Sequence, residues 1–181
     1  FDGGGAKGAA FAGCLKAAQM NGIEFVGFGG TSAGSIAALL ATVGYTPDEI
    51  KDILIKELVV ETILDGPLGE IQSLAKIPEN ISTKRYTKAI AACWSNRDLI
   101  RRIGNDWGLN SGKKLSHFLA TKIQKKIPSQ VNGRDITFGD LKAAGCPPLK
   151  ILASDLGARR PIVFSTDGHL NVPVLDAVRA S

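Results

Sequence analysis

Histidine and cysteine are scarce in this 181-residue chain: two of the former, His117 and His169, and three of the latter, Cys14, Cys93 and Cys146. Two imidazoles leave little for zinc chemistry, and the thiols fit no metal-ligand spacing, so no metal site is expected. The cysteines read as buried apolar residues in a reducing, cytoplasmic setting. Long apolar runs are missing too. The longest, Ile36–Val43, is broken by Thr42 and falls far short of the roughly 20 residues that a membrane helix needs. Peripheral membrane contact stays open. Aromatics make up only 6% and are not interleaved with the basic residues, so nucleic acid is not an expected partner. An initiator Met and a signal peptide are absent: the chain opens at Phe1-Asp2 and stops at Arg179-Ala180-Ser181, inside a predicted helix. It reads as one domain, residues 1–181, truncated at both ends.

What is present is an ordinary globular balance, 44% hydrophobic and 22% charged, which excludes disorder. The net charge of +5 is unevenly spread. Residues 1–83 carry 5 basic and 10 acidic groups, whereas residues 84–142 carry 13 and 4. The basic stretch reads as a solvated face, with an anionic membrane surface as the functional alternative.

Eleven of the 21 glycines fall in residues 1–44, which concentrates unusual backbone there. Phe1 reads as the tail of a strand, Gly3–Gly8 as a loop, and Ala9–Asn21 as a helix with Ala10, Phe11, Cys14, Leu15 and Ala18 at helical spacing, stopped by Gly22. Ile23–Phe28 is a short strand, Gly29–Gly34 a joint, and Ser35–Val43 a helix. Thr46, Pro47 and Glu49 sign the start of the next helix. A helical, basic insert occupies about residues 59–135. Its strongest element is Ser111–Ile127, with Leu115, Phe118, Leu119, Ile123 and Ile127 on one stripe. Thr137–Ala144 is a short helix, Leu149–Leu156 and Pro161–Phe164 are strands, and Pro173 begins a last helix.

Gly30-Thr31-Ser32-Ala33-Gly34 has the form G-x-S-x-G between a predicted strand and a predicted helix, the context of a nucleophile elbow. Ser32 belongs at the tip of a strained turn, where a Cβ two residues to either side collides with neighbouring backbone. Gly30 and Gly34 remove those atoms. The helix beginning near Ala33 points free N–H groups at the charge formed when Ser32 attacks a carbonyl. Gly3-Gly4-Gly5-Ala6-Lys7-Gly8 also fits G-x-G-x-x-G, but Glu24 sits at the start of a strand, where it cannot grip a ribose, so a dinucleotide site is not supported. Bare N–H groups of Gly4 and Gly5 facing Ser32 make an oxyanion hole instead.

Together, Asp2-Gly3-Gly4-Gly5-Ala6-Lys7-Gly8 and Gly30–Gly34 about 27 residues on resemble the patatin-like phospholipase family. The resemblance runs end to end. It implies a three-layer α/β/α fold with a mostly parallel sheet and a helical insert. It also implies a cofactor-free, metal-free acyl hydrolase that cleaves phospholipid or other lipid esters through a Ser-Asp dyad. On this resemblance Ser32 is the nucleophile. Gly3, Gly4, Gly5 and Gly8 form the oxyanion loop with Lys7 in its usual Arg/Lys place, and Ala33 adds a donor. The dyad aspartate belongs to an Asp-Gly-Gly or Asp-Gly-Ala turn after the last helix, beyond Ser181. An activating protein partner is not specified.

Three alternatives remain open on the residues alone. Ser32, Asp155 and His169 occur in the chain order of an α/β-hydrolase triad. Asp167-Gly168 imitates the dyad motif, although a plain turn explains it as well. A catalytically incomplete lipid-binding or scaffolding domain is the non-enzymatic reading.

Overall fold

The computed structural model describes residues 1–3, 9–58, 112–128 and 135–181. The chain divides into two compact units, residues 1–59 with 115–181, and residues 60–114. Most of the expected insert lies outside the described residues.

Helix α1, Ala9–Met20, ends at Gly22, whose φ of 69° lets Ile23 N–H reach Ala18 O at 3.0 Å and satisfies the last carbonyls. Strand β1 is Phe28–Thr31, and helix α2 is Ala33–Thr42. Helix α3, Pro47–Asp52, runs on into a π-helical turn, Ile53–Glu57. Its start is a capping box: Thr46 Oγ1 accepts from Glu49 N–H, and the Glu49 carboxylate accepts from Thr46 N–H at 2.8 Å. Helix α4 covers Lys113–Lys126, and α5, Phe138–Ala143, carries a second capping box between Thr137 and Asp140. Strands β2, Leu149–Asp155, and β3, Arg160–Ser165, precede α6, Val174–Ala180.

The sheet has the order β1-β2-β3. β1 and β2 are parallel, from Phe28↔Leu149 to Thr31↔Leu152, whereas β2 and β3 form an antiparallel hairpin. Phe1 flanks β1 in the bonding pattern of a parallel neighbour, its N donating to Gly29 O and its O accepting from Thr31 N. The sheet is therefore mixed.

The expected strand Ile23–Phe28 is displaced toward the C-terminus. Residues 23–27 are outside any strand, with Val26 91% exposed, and only Phe28 is shared. The cause lies in the partner. Pro147 and Pro148 precede β2 and carry no N–H, so the ladder begins only at the bond from Phe28 N to Pro148 O.

One face of the sheet, bearing Leu149, Ile151 and Ala153, is buried with Ile36, Leu39 and Leu40 of α2 and Val174 and Val178 of α6. The opposite face leaves Leu152 and Val163 exposed, so the described residues supply one of the two helical layers expected. Helix α4, expected in the insert, contributes Leu119 and Ile123 to this same core. It is further tied by Tyr45 Oη, which donates to Lys122 O at 2.9 Å, and by Lys126, 3.0 Å from the Glu49 carboxylate and above the Tyr45 ring. Cys14, expected to be buried, is exposed; Ala12 and Leu15 carry the inner face of α1 instead.

Candidate active site

Ser32 stands where β1 turns into α2, with φ 52° and ψ −128°. A non-glycine residue at such a φ is held there by its surroundings. The surroundings are backbone. A Cβ on Gly30 would lie 2.2 Å from Gly34 O, and one on Gly34 would lie 2.4 Å from Phe1 O and 2.6 Å from Asp2 O. Neither position admits a side chain without moving a strand or a helix.

Three hydrogen bonds fix the Ser32 backbone. Its carbonyl accepts from Ser35 N at 2.9 Å and from the fully buried Ser35 Oγ at 2.6 Å. Its N–H donates to Ser181 Oγ at 2.7 Å, and Ser181 Oγ in turn donates to Leu152 O at 2.6 Å. The Ser32 side chain is exposed and makes no cap to α2, so its oxygen is not committed to the helix start. Ala33 is the first residue of α2, where N–H groups have no intrahelical acceptor. Gly3 adjoins the same point: a Cβ there would be 3.4 Å from Ser32 Cβ. Gly4, Gly5, Lys7 and Gly8 lie outside the described residues.

The rival triad is not brought together. β1 and β2 run parallel, so Ser32 and Asp155 leave the sheet at one edge, but the Asp155 carboxylate accepts Ala158 N–H at 2.9 Å and closes the hairpin turn. β3 runs back, and Ser165 pairs with Lys150 beside the Phe28–Leu149 end of the ladder. His169 and Asp167 therefore follow at the opposite edge, about 10 Å of strand away from Ser32. His169 packs edge-on against Phe164, and the Asp167-Gly168 segment is a turn capped by Ser165 Oγ. His117 is exposed on α4. Among the described residues no group of three or more His, Cys, Asp or Glu side chains could hold a metal ion.

Sequence reasoning missed Ser181 and Ser35. A serine in the opening of α2 offered a weak clue; nothing local to Ser181 offered any.

The family model for patatin-like phospholipases matches residues 1–181. The chain belongs to that family. A relative of this patatin-like chain is the uncharacterized protein YqhO of Bacillus subtilis (strain 168), 45% identical over 188 residues, an alignment covering 100% of this chain and 53% of that protein. The chain thus spans about half the length of the curated relative it matches. Among solved structures, the patatin-like chain is similar in fold to ExoU of Pseudomonas aeruginosa, crystallised in complex with SpcU. The TM-score is 0.57 at 21% identity, over 97% of this chain and 36% of that one. It is also similar to VipD of Legionella pneumophila, with a TM-score of 0.52 at 16% identity, over 98% of this chain and 40% of that one. No helix among the described residues is long and apolar enough to cross a membrane.

Proposed function

We propose that the protein containing this chain is a lipid acyl hydrolase of phospholipase A or lysophospholipase type, with Ser32 as its nucleophile. The observation that carries this reading is the backbone of Ser32, at φ 52° between two glycines whose Cβ positions are filled by backbone oxygen. A strained turn of this kind presents Oγ outward at the parallel edge of the sheet, where an ester carbonyl can approach.

In the proposed reaction Ser32 Oγ attacks the ester carbonyl and its proton passes to an aspartate. Backbone N–H groups of Gly4, Gly5 and Ala33 hold the oxyanion, the Gly3 N–H being donated to Asp2 Oδ1 at 2.8 Å. The alcohol departs, leaving an acyl-enzyme that water hydrolyses to fatty acid. Among the described residues no carboxylate accepts a hydrogen bond from Ser32 Oγ, so the aspartate is proposed in the family's Asp-Gly-Gly or Asp-Gly-Ala turn, C-terminal to α6. The domain is read as 1–181 with its basic insert at about 59–135. The excess of 13 basic over 4 acidic groups in residues 84–142 suits peripheral contact with an anionic lipid surface.

The test uses the full-length protein and its Ser32→Ala variant, on phospholipid vesicles and on a small soluble ester, with fluorophosphonate labelling of activated serine. Wild type should release fatty acid and take the label at Ser32; the variant should do neither while still folding. Vesicle binding without any Ser32-dependent hydrolysis would establish the non-enzymatic reading.

A further inference from the structure

The ladder between β1 and β2 stops at Thr31↔Leu152, one residue before the elbow. Had β1 continued, the next N–H along it would have been available to the Leu152 carbonyl. The turn to φ 52° carries the Ser32 N–H away from that acceptor. Left alone, the break would strand one donor and weaken one acceptor at the point where positional precision matters most.

Ser181 fills the break. Its Oγ accepts the Ser32 N–H at 2.7 Å and gives its single proton to Leu152 O at 2.6 Å, so one hydroxyl takes the place of the missing rung. Both lengths lie at the short end for their types. A hydroxyl is suited to the task because it donates and accepts through one atom. Its anchor is firm: Ser181 N bonds to Ala177 O at 3.1 Å, and α6 is held in the core by Val174, Leu175, Ala177 and Val178. The Thr31 hydroxyl also donates to Leu152 O, at 3.3 Å, which leaves that carbonyl doubly satisfied.

We propose that Ser181 is a positioning residue: its hydroxyl stands in for the broken ladder rung and holds Ser32 in the strained backbone conformation. The proposal rests on Ser32 being the nucleophile. Because the Ser32 N–H is spent on Ser181, the oxyanion donors must come from other N–H groups. Loss of the bridge therefore acts on the aim of Ser32 Oγ and not on substrate binding.

The experiment compares full-length wild type with Ser181→Ala, Ser181→Thr and Ser32→Ala. It reads kcat and KM on a soluble ester, the rate of fluorophosphonate labelling, and hydrogen exchange at the Ser32 amide. Misplacing a reacting group by about 1 Å costs on the order of a hundredfold. Ser181→Ala should thus lower kcat and labelling by about ten- to a hundredfold with KM little changed, and the Ser32 amide should exchange faster. Ser181→Thr, which keeps the hydroxyl, should restore most of the rate. If Ser181→Ala does not fold, Ser181→Cys, which keeps the volume but bonds weakly, replaces it. A folded variant with wild-type kcat and labelling overturns the role of Ser181 while leaving the nucleophile in place. Wild type that fails to label at Ser32 overturns the nucleophile itself, and the proposal with it.

Discussion

Replacing Gly34 by alanine sets two effects of opposite sign against each other. Gly34 lies in the first turn of α2, and on helix propensity alone the change should stabilise by up to about 1 kcal/mol. The close approach of the first strand says otherwise. The new Cβ would meet Phe1 O at 2.4 Å, Asp2 O at 2.6 Å and Phe1 C at 2.7 Å, where ordinary contact begins near 3.4 Å. Residues 1–3 and α2 must separate by about 1 Å, straining the bonds from Phe1 N to Gly29 O and from Thr31 N to Phe1 O. Overpacking of this kind costs about 1–3 kcal/mol, and against rigid backbone the steric cost wins, leaving a net destabilisation of up to about 2 kcal/mol. Gly13 is the control, because it also lies in a helix and its added Cβ meets nothing within 4 Å. Gly13→Ala should gain about 0.5–1 kcal/mol. The two variants, compared in the full-length protein by denaturant unfolding, should therefore shift in opposite directions and differ by up to about 3 kcal/mol. Ester hydrolysis should fall on the order of a hundredfold in Gly34→Ala alone, because the same 1 Å moves the start of the glycine loop from Ser32. A Gly34→Ala protein as stable and as active as Gly13→Ala would refute the close-approach argument.

Two further predictions concern residues away from the elbow. Asp155→Asn and His169→Ala, made separately, should each leave ester hydrolysis within about twofold of wild type, since one side chain caps a turn and the other packs at the far edge; a loss on the order of a hundredfold in either restores the triad. Tyr45 has its ionisation pushed above the usual value of 10.0, first by burial and then by Glu49 and Glu57. In alkali the unfolded chain therefore loses the phenol proton before the folded one does. The stabilising contribution is complete below about pH 10 and is lost as pH rises through the folded-state value. Tyr45→Phe, which also forfeits the bond to Lys122 O, should cost about 1 kcal/mol at neutral pH and flatten this alkaline limb in unfolding measured across pH 8–11.

Features written in a few adjacent residues were legible. Thr46 with Glu49 marks a helix start because the cap and its reciprocal partner lie three residues apart. The spacing of Gly30, Ser32 and Gly34 announces the elbow for the same reason. What was hidden depends on distant chain. The start of β1 is set by two prolines about 120 residues later, which no pattern in Ile23–Phe28 can reveal. The rival triad is undone by the direction of β3, a matter of pairing and not of order along the chain. The inner face of α1 was misjudged because alanine-rich stretches carry little contrast between faces, so Cys14 and Ala12 could not be ranked.

The elbow is closed by one partner that precedes it in sequence and one that follows far behind, and that has a bearing on when it can exist. Its backbone neighbours are Phe1, 28 residues before Gly29, and Ser181, 149 residues beyond Ser32. Closing a loop of 149 residues instead of 28 raises the entropic cost by only about 1.5 kcal/mol. Thermodynamics tolerates the arrangement, but vectorial synthesis orders it. At about 5–20 residues per second, Ser181 is made roughly 7–30 s after Ser32. During that interval the nascent chain can form α1, α2 and the Phe1 contact, yet the Ser32 N–H has no Ser181 hydroxyl to meet. The final geometry of the elbow is thus reached only after the residues between the two serines have been translated.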